Sequence, residues 1–99
     1  MSAEESQAIA LAFLRNSPTF KFDGIEGSIK LLRSQAGAGS RWEFDFEFQN
    51  RQAGYGNRAG QFLAQVITSH NARIVVDQGQ VTSAILDSQW DELKQAPTR

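Results

Sequence analysis

RWEFDFEFQN, residues 41–50, sets Trp42, Phe44, Phe46 and Phe48 on one side of an extended chain and Arg41, Glu43, Asp45, Glu47 and Gln49 on the other. Side chains alternate across a strand, whereas on a helix these four aromatics would scatter around the cylinder, so the stretch reads as a strand. One apolar and one charged face further imply an antiparallel sheet covered on a single side, because parallel sheets are usually covered on both. The segments around it have to supply that cover and the neighbouring strands.

Upstream, Ser2 followed by Glu5 is a capping-box pattern, and Glu4 and Glu5 suit the positive end of a helix. Ile9, Ala10, Phe13 and Leu14 then fall on one helical side, with Ala8 and Ala12 small enough for close approach to a sheet. Ser17-Pro18 ends this helix, since the residue before proline is pushed out of the helical region. Phe20 and Phe22 alternating around Lys21 suggest a short extended lead-in, closed by the turn pair Asp23-Gly24. Residues 25–35 read as a strand whose register Leu31 and Leu32 leave open, because they would face opposite ways.

Downstream, residues 61–69 read as a strand, His70-Asn71 as a tight reversal, and 72–77 as a strand with Ile74 and Val76 inward. A turn at 77–80 leads to VTSAIL at 81–86, which begins at Val81 and ends at Leu86. Ser88 and Asp91 ahead of Trp90, Leu93 and Pro97 suggest a short terminal helix. The expectation is a single domain over residues 1–99, of α+β class: an N-terminal helix packed on one face of a four- to five-stranded antiparallel meander, with a short C-terminal helix.

Composition narrows function. A net charge of −1 gives no long-range pull toward polyanions, so nucleic acid is not an expected partner. With no cysteine there is no disulfide, thiolate nucleophile or cysteine metal site. The longest apolar run, residues 8–14, is too short to span a bilayer, and the chain as given carries no recognisable signal peptide. His70 is the only histidine, so no His-based metal spacing exists, and no cofactor or metal is expected. No serine sits in a Gly-x-Ser-x-Gly elbow, and no catalytic residues are assigned. Glu43, Asp45 and Glu47 are spaced about 6.6 Å apart on a strand, too far for neighbours to share a calcium ion by themselves. They read as a solvated face salt-bridged to Arg41, Lys30 or Arg73 across the strands.

The segment richest in binding chemistry is 49–61, QNRQAGYGNRAGQ. Gly54 and Gly56 would let backbone amides approach a ligand, and Arg51, Tyr55, Asn57 and Arg58 add donors and a stacking surface. That combination suits a small anionic ligand or an acidic patch on a protein partner. The structural alternative is a twisted ribbon with glycines at bulges and arginines paired to Asp or Glu. A second candidate is the uncharged 81–86 strand, which at a sheet edge would pair with its copy in a homodimer, accept a partner strand, or be covered by the N-terminal segment.

The arrangement resembles the cystatin-like and PepSY-like small domains, in which a helix packs on a curved antiparallel sheet. FDGI from Phe22, WEFDFEFQ from Trp42, AGYGNRAGQ from Ala53, QVIT from Gln65 and the closing Trp90-Asp91 also resemble uncharacterised small domains of archaeal and bacterial exported proteins or lipoproteins, over nearly the whole chain. The resemblance implies the fold and an exported origin, with the leader not part of this chain; it implies no activity. Such relatives carry a cysteine pair just before the Trp-Glu-Phe, where this chain has Ala36 and Arg41 at either end of a Gly-rich connector, so a metal or redox role is not implied here. Cystatins resemble one another in a Gln-x-Val-x-Gly hairpin, which Gln65, Val66, Ile67, Thr68 and Ser69 match in part. The expected function is therefore a non-enzymatic binding module, with a cystatin-type protease inhibitor or a small enzyme as alternatives.

Overall fold

The computed structural model describes residues 2–61 and 65–98, with elements in the order α1 (Ala3–Asn16), α2 (Pro18–Asp23), β1 (Lys30–Ala36), β2 (Arg41–Asn50), β3 (Thr68–Asp77), β4 (Gln80–Leu86), β5 (Trp90–Asp91) and β6 (Ala96–Pro97). The six strands form one antiparallel sheet in chain order, so the topology is a meander. The class is α+β with an N-terminal helix, as the sequence predicts. The strand count exceeds four to five, and the C-terminal segment forms strands rather than a helix.

The capping box at Ser2 is complete: the Glu5 N–H donates to Ser2 Oγ and the Ser2 N–H to Glu5 Oε1. The hydrogen bonds to Ser2 hold the Glu5 carboxyl below the usual carboxylate range. Ser6, Ala10 and Leu14, four residues apart, form the buried stripe of α1, and this stripe lies over β2, β3 and β4. Beneath it Phe44, Phe46 and Phe48 are at most 1% exposed, joined by Ile74, Val76, Ala84 and Leu86. Burying each Phe ring stabilises the fold by about 1.5 to 3 kcal/mol, and the alternation in residues 41–50 thus sets which face receives the helix.

Pro18 stops α1, but it also starts α2 where an extended lead-in was expected. Proline at the first helical position has its φ already set and lacks only an N–H that the helix would not use. Ser17 closes the first helix by donating its N–H and its hydroxyl to Leu14 O. As a helix, α2 turns Phe20 inward, edge-on to Phe48 at 5.7 Å.

Strand 25–35 is also corrected. Residues 25–28 form a turn, with the Ser28 N–H donating to Ile25 O, and β1 begins at Lys30. The open register of Leu31 and Leu32 is resolved by an irregularity: Leu31 pairs with Phe46 and Arg33 with Asp45, so Leu32 is the extra residue. The expected reversal at His70-Asn71 does not occur. β3 runs unbroken from Thr68 and pairs with β2 through ten registered positions, Asn50 with Thr68 to Arg41 with Asp77. Of the strand expected at 61–69, Gln61 and residues 65–67 are not in a strand, and residues 62–64 lie outside the described residues.

At the C-terminus the Gln89 N–H donates to Leu86 O across Asp87 and Ser88, both with positive φ, 53° and 58°. This tight turn returns β5 along β4 through the three residues 87–89, in the register Leu86 with Trp90. Trp90 is thereby paired with Leu86, and the Asp91 carboxylate accepts the Leu93 and Lys94 N–H groups in a turn instead of starting a helix.

Candidate functional site

The 49–61 segment does not project as a loop with free donors. Its residues fold back over α2, the end of β2 and the C-terminal strands, where most of their polar groups are spent on the protein itself. Arg58 is 2% exposed; its Nη1 donates to Gly56 O at 2.7 Å and its Nη2 to Asp23 Oδ1 at 2.5 Å. The guanidinium also lies 4.7 Å from the Phe22 ring centroid, so an anion would have to displace a buried carboxylate and an aromatic face to reach it. Asp23 Oδ1 additionally accepts from Asn50 Nδ2, which donates to Thr19 O as well.

Glycine is required twice here. Gly54 has φ +102°, and a Cβ there would stand 2.7 Å from Arg58 Cδ. Gly56 has φ +69°, and a Cβ would meet Gln95 Oε1 at 2.8 Å. Both glycines therefore make room for side chains of this protein. The Gly56 N–H, one of the expected anion donors, instead donates to Thr19 Oγ1 at 2.7 Å. Thr19 in turn donates its hydroxyl and its backbone N–H to the two oxygens of buried Glu92, at 2.6 and 2.8 Å. Glu92 so caps α2, for which Ser17 supplies no side-chain acceptor, from 73 residues along the chain.

Tyr55 stacks on Trp90 at 5.3 Å with rings 7° apart, and its hydroxyl donates to Asp87 Oδ2 at 2.9 Å. Burial, then the hydrogen bond to Asp87 and its negative charge, push the Tyr55 hydroxyl up to about 12. His70 Nδ1 lies 2.6 Å from the same Asp87 oxygen. The carboxylate can only accept, so Nδ1 carries the proton. The other Asp87 oxygen accepts the Asn71 N–H, extending the β3–β4 ladder past its last residue. His70, read from sequence as a turn residue, is thus a buried mid-strand residue, with its ring 5.3 Å from Phe48 and 5.2 Å from Tyr55. Of the six candidate residues, the fold brings Tyr55, Gly56 and Arg58 into its interior with Gly54 beside them, and leaves Arg51 and Asn57 exposed. Asn57 Oδ1 accepts the Ala59 N–H within its own turn.

What remains outward is the second face of the sheet and the edges. An open trough of about 910 Å³ on that face is lined by Leu32, Arg33, Asp45, Arg73 and Ile85 among others. Arg73 pairs with Asp45 as predicted, and Arg33 joins the same carboxylate, each at 3.1 Å. The hydrogen bond to Asp45 and its charge raise the Arg73 guanidinium further. Asp45 on β2 thus sits between a base on β1 and a base on β3.

The two sides of the sheet end differently. Residues 84–86 of the 81–86 strand are met by the C-terminal segment: β5 pairs with Ile85 and Leu86, and the Glu92 N–H donates to Ala84 O at 2.8 Å. These residues are met by the C-terminal segment and not the N-terminal one, and Pro97 closes the last strand without an N–H. β1 is the opposite terminal strand and is exposed at all seven residues. A meander makes the 25–35 strand the other sheet edge from sequence alone, and its charges, Glu26, Lys30 and Arg33, set it apart from the uncharged 81–86 strand. No helix among the described residues is long and apolar enough to cross a membrane. Comparison of the chain with protein families, with curated proteins and with solved structures finds no match.

Proposed function

We propose that this protein is a non-enzymatic binding module that recognises a protein partner through an open sheet edge, and that the edge it uses is β1. The observation that carries this reading is the exposure of all seven residues of Lys30–Ala36 at the end of the sheet, outside the area over which α1 packs. A terminal strand presents a row of backbone donors and acceptors to any extended chain that can lie beside it. The 49–61 segment contributes less than its composition promised, because Arg58, Tyr55 and the Gly56 amide are already engaged. His70, Asp87 and Tyr55, a grouping with the look of acid–base chemistry, are bound to one another and packed against Phe48 and Trp90.

A pool of extended peptides titrated into ¹⁵N-labelled protein tests the reading. Amide shifts concentrated in residues 30–36, with slowed hydrogen exchange there, support it; shifts centred on 51–61 return the role to that segment. Protease inhibition is the second reading, favoured by Val66 and Ile67, which are 59% and 61% exposed in the string that partly matches the cystatin hairpin. A papain assay without inhibition at high micromolar protein removes it.

A further inference from the structure

We propose that the β1 edge selects an acidic partner: an extended segment of another protein that alternates acidic residues, on the face shared with Arg33, with apolar residues on the face shared with Leu31. This inference rests on the reading of β1 as the docking edge and names the chemistry of its occupant. Charges of alternating sign cross the outer face of the sheet from strand to strand. On β3 stands Arg73, on β2 Asp45, and on β1 Arg33, with both guanidinium groups 3.1 Å from the one carboxylate. Lys30 on β1 stands opposite Glu47 in the same pattern. The Arg73–Asp45–Arg33 row alternates base, acid, base and the Glu47–Lys30 pair acid, base, so the next strand outward would continue both with acid.

β1 itself, KLLRSQA, holds two basic residues and no acidic one. Asp45 is shared by two cations, and the second of them, Arg73, has Glu43 acting on it as well. The Arg33 side chain is 61% exposed. On the opposite face Leu31, Ser34 and Ala36 stand beside Phe46, Phe44 and Trp42 and lie outside the helix layer, with Leu31 39% exposed. An incoming strand would meet that row with its apolar side chains.

Basic residues and a bulge are also the devices by which proteins guard edge strands against indiscriminate pairing. Both features are present in β1, as Lys30, Arg33 and the extra residue Leu32, and they act here as a filter. Pairing β1 with its own copy sets two rows of basic side chains against each other, and a basic or uncharged segment gains nothing from them. An acidic one does.

The test uses the full chain and labelled synthetic peptides of roughly seven to nine residues, a usual strand length. One alternates glutamate with valine, a second replaces glutamate with lysine, and a third keeps glutamate but carries N-methyl groups on alternate residues. Fluorescence anisotropy reads affinity, and amide shifts locate the contact. The glutamate peptide should bind about tenfold more tightly than the lysine peptide, since two cross-strand pairs change from attraction to repulsion. Its shifts should fall on residues 30–36, the N-methylated peptide should lose binding, and Arg33→Glu should invert the preference for charge. Equal binding of both charge types at β1 overturns the acidic selection while leaving the edge as the docking site. Binding unaffected by N-methylation, shifts outside β1, or no binding of any peptide at millimolar concentration overturns the edge reading itself. Arg33 is exposed, and circular dichroism of the Arg33→Glu variant verifies that it folds.

Discussion

The chain around Arg58 and the chain around Arg33 both set arginine against aspartate, yet they do opposite things. Arg58 and Asp23 are sealed among Phe22, Asn50 and Gly56, with side chains 1% and 11% exposed. Arg33 and Asp45 stand at 61% and 22%. Burial makes the first pair obligatory: neither charge can return to water, so removing one strands the other. Exposure makes the second nearly neutral for folding, because water and salt screen both partners. The same chemistry is a fastener inside the molecule and an exposed, weakly held pair outside it.

Arg58→Met breaks the comparison most sharply. Losing the cation should destabilise the protein by about 3 to 5 kcal/mol, read from urea unfolding. The double variant Asp23→Leu with Arg58→Met should recover a large part of that loss, since buried ion pairs are often replaceable by packed apolar groups. A single variant as stable as wild type would show that the 51–61 segment is not fastened there. Phe46→Ala, on the face α1 covers, should cost a similar about 3 to 5 kcal/mol through lost burial and a cavity.

Glu92→Ala comes next. It removes the acceptor for two Thr19 donors and should cost about 1 to 3 kcal/mol, while Ser17, with no side-chain bond to α2, cannot replace it. Arg33→Ala should change stability by only about 0 to 1 kcal/mol, and a larger loss would mean that β1 depends on its ion pair for folding.

Tyr55 supplies a pH dependence of known sign. Its folded value is raised from 10.0 to about 12, so between these values the folded state holds a proton that the unfolded state has lost. Stability contributed by this group is complete below pH 10 and falls as pH rises toward 12. Tyr55→Phe should lack that part of the alkaline loss, measured as the difference between urea midpoints across that range; identical alkaline profiles would detach the hydroxyl from Asp87.

Residues 41–50 made β2, its buried face and the antiparallel sheet legible, and Ser2 with Glu5 made the start of α1 legible, because both signals depend on neighbours within a few positions. The C-terminal helix was misread for the same reason. Ser88 and Asp91 have the local look of caps, but Trp90 gains more from pairing with Leu86 and stacking on Tyr55 than a single helical turn could return. His70 was misread because its partners, Asp87 and Tyr55, are 17 and 15 positions away and carry no spacing signal.

Sequence alone settled the period of α1 and β2 and therefore which of their side chains could be buried together. Only tertiary structure settled which polar groups are used internally: that Glu92 caps α2, that Arg58 is spent on Asp23, and that the C-terminal segment meets residues 84–86 while β1 is exposed at every residue. The reason is physical. Periodicity is written in adjacent residues, whereas the partner of a buried charge is chosen by the packing that removes water from both.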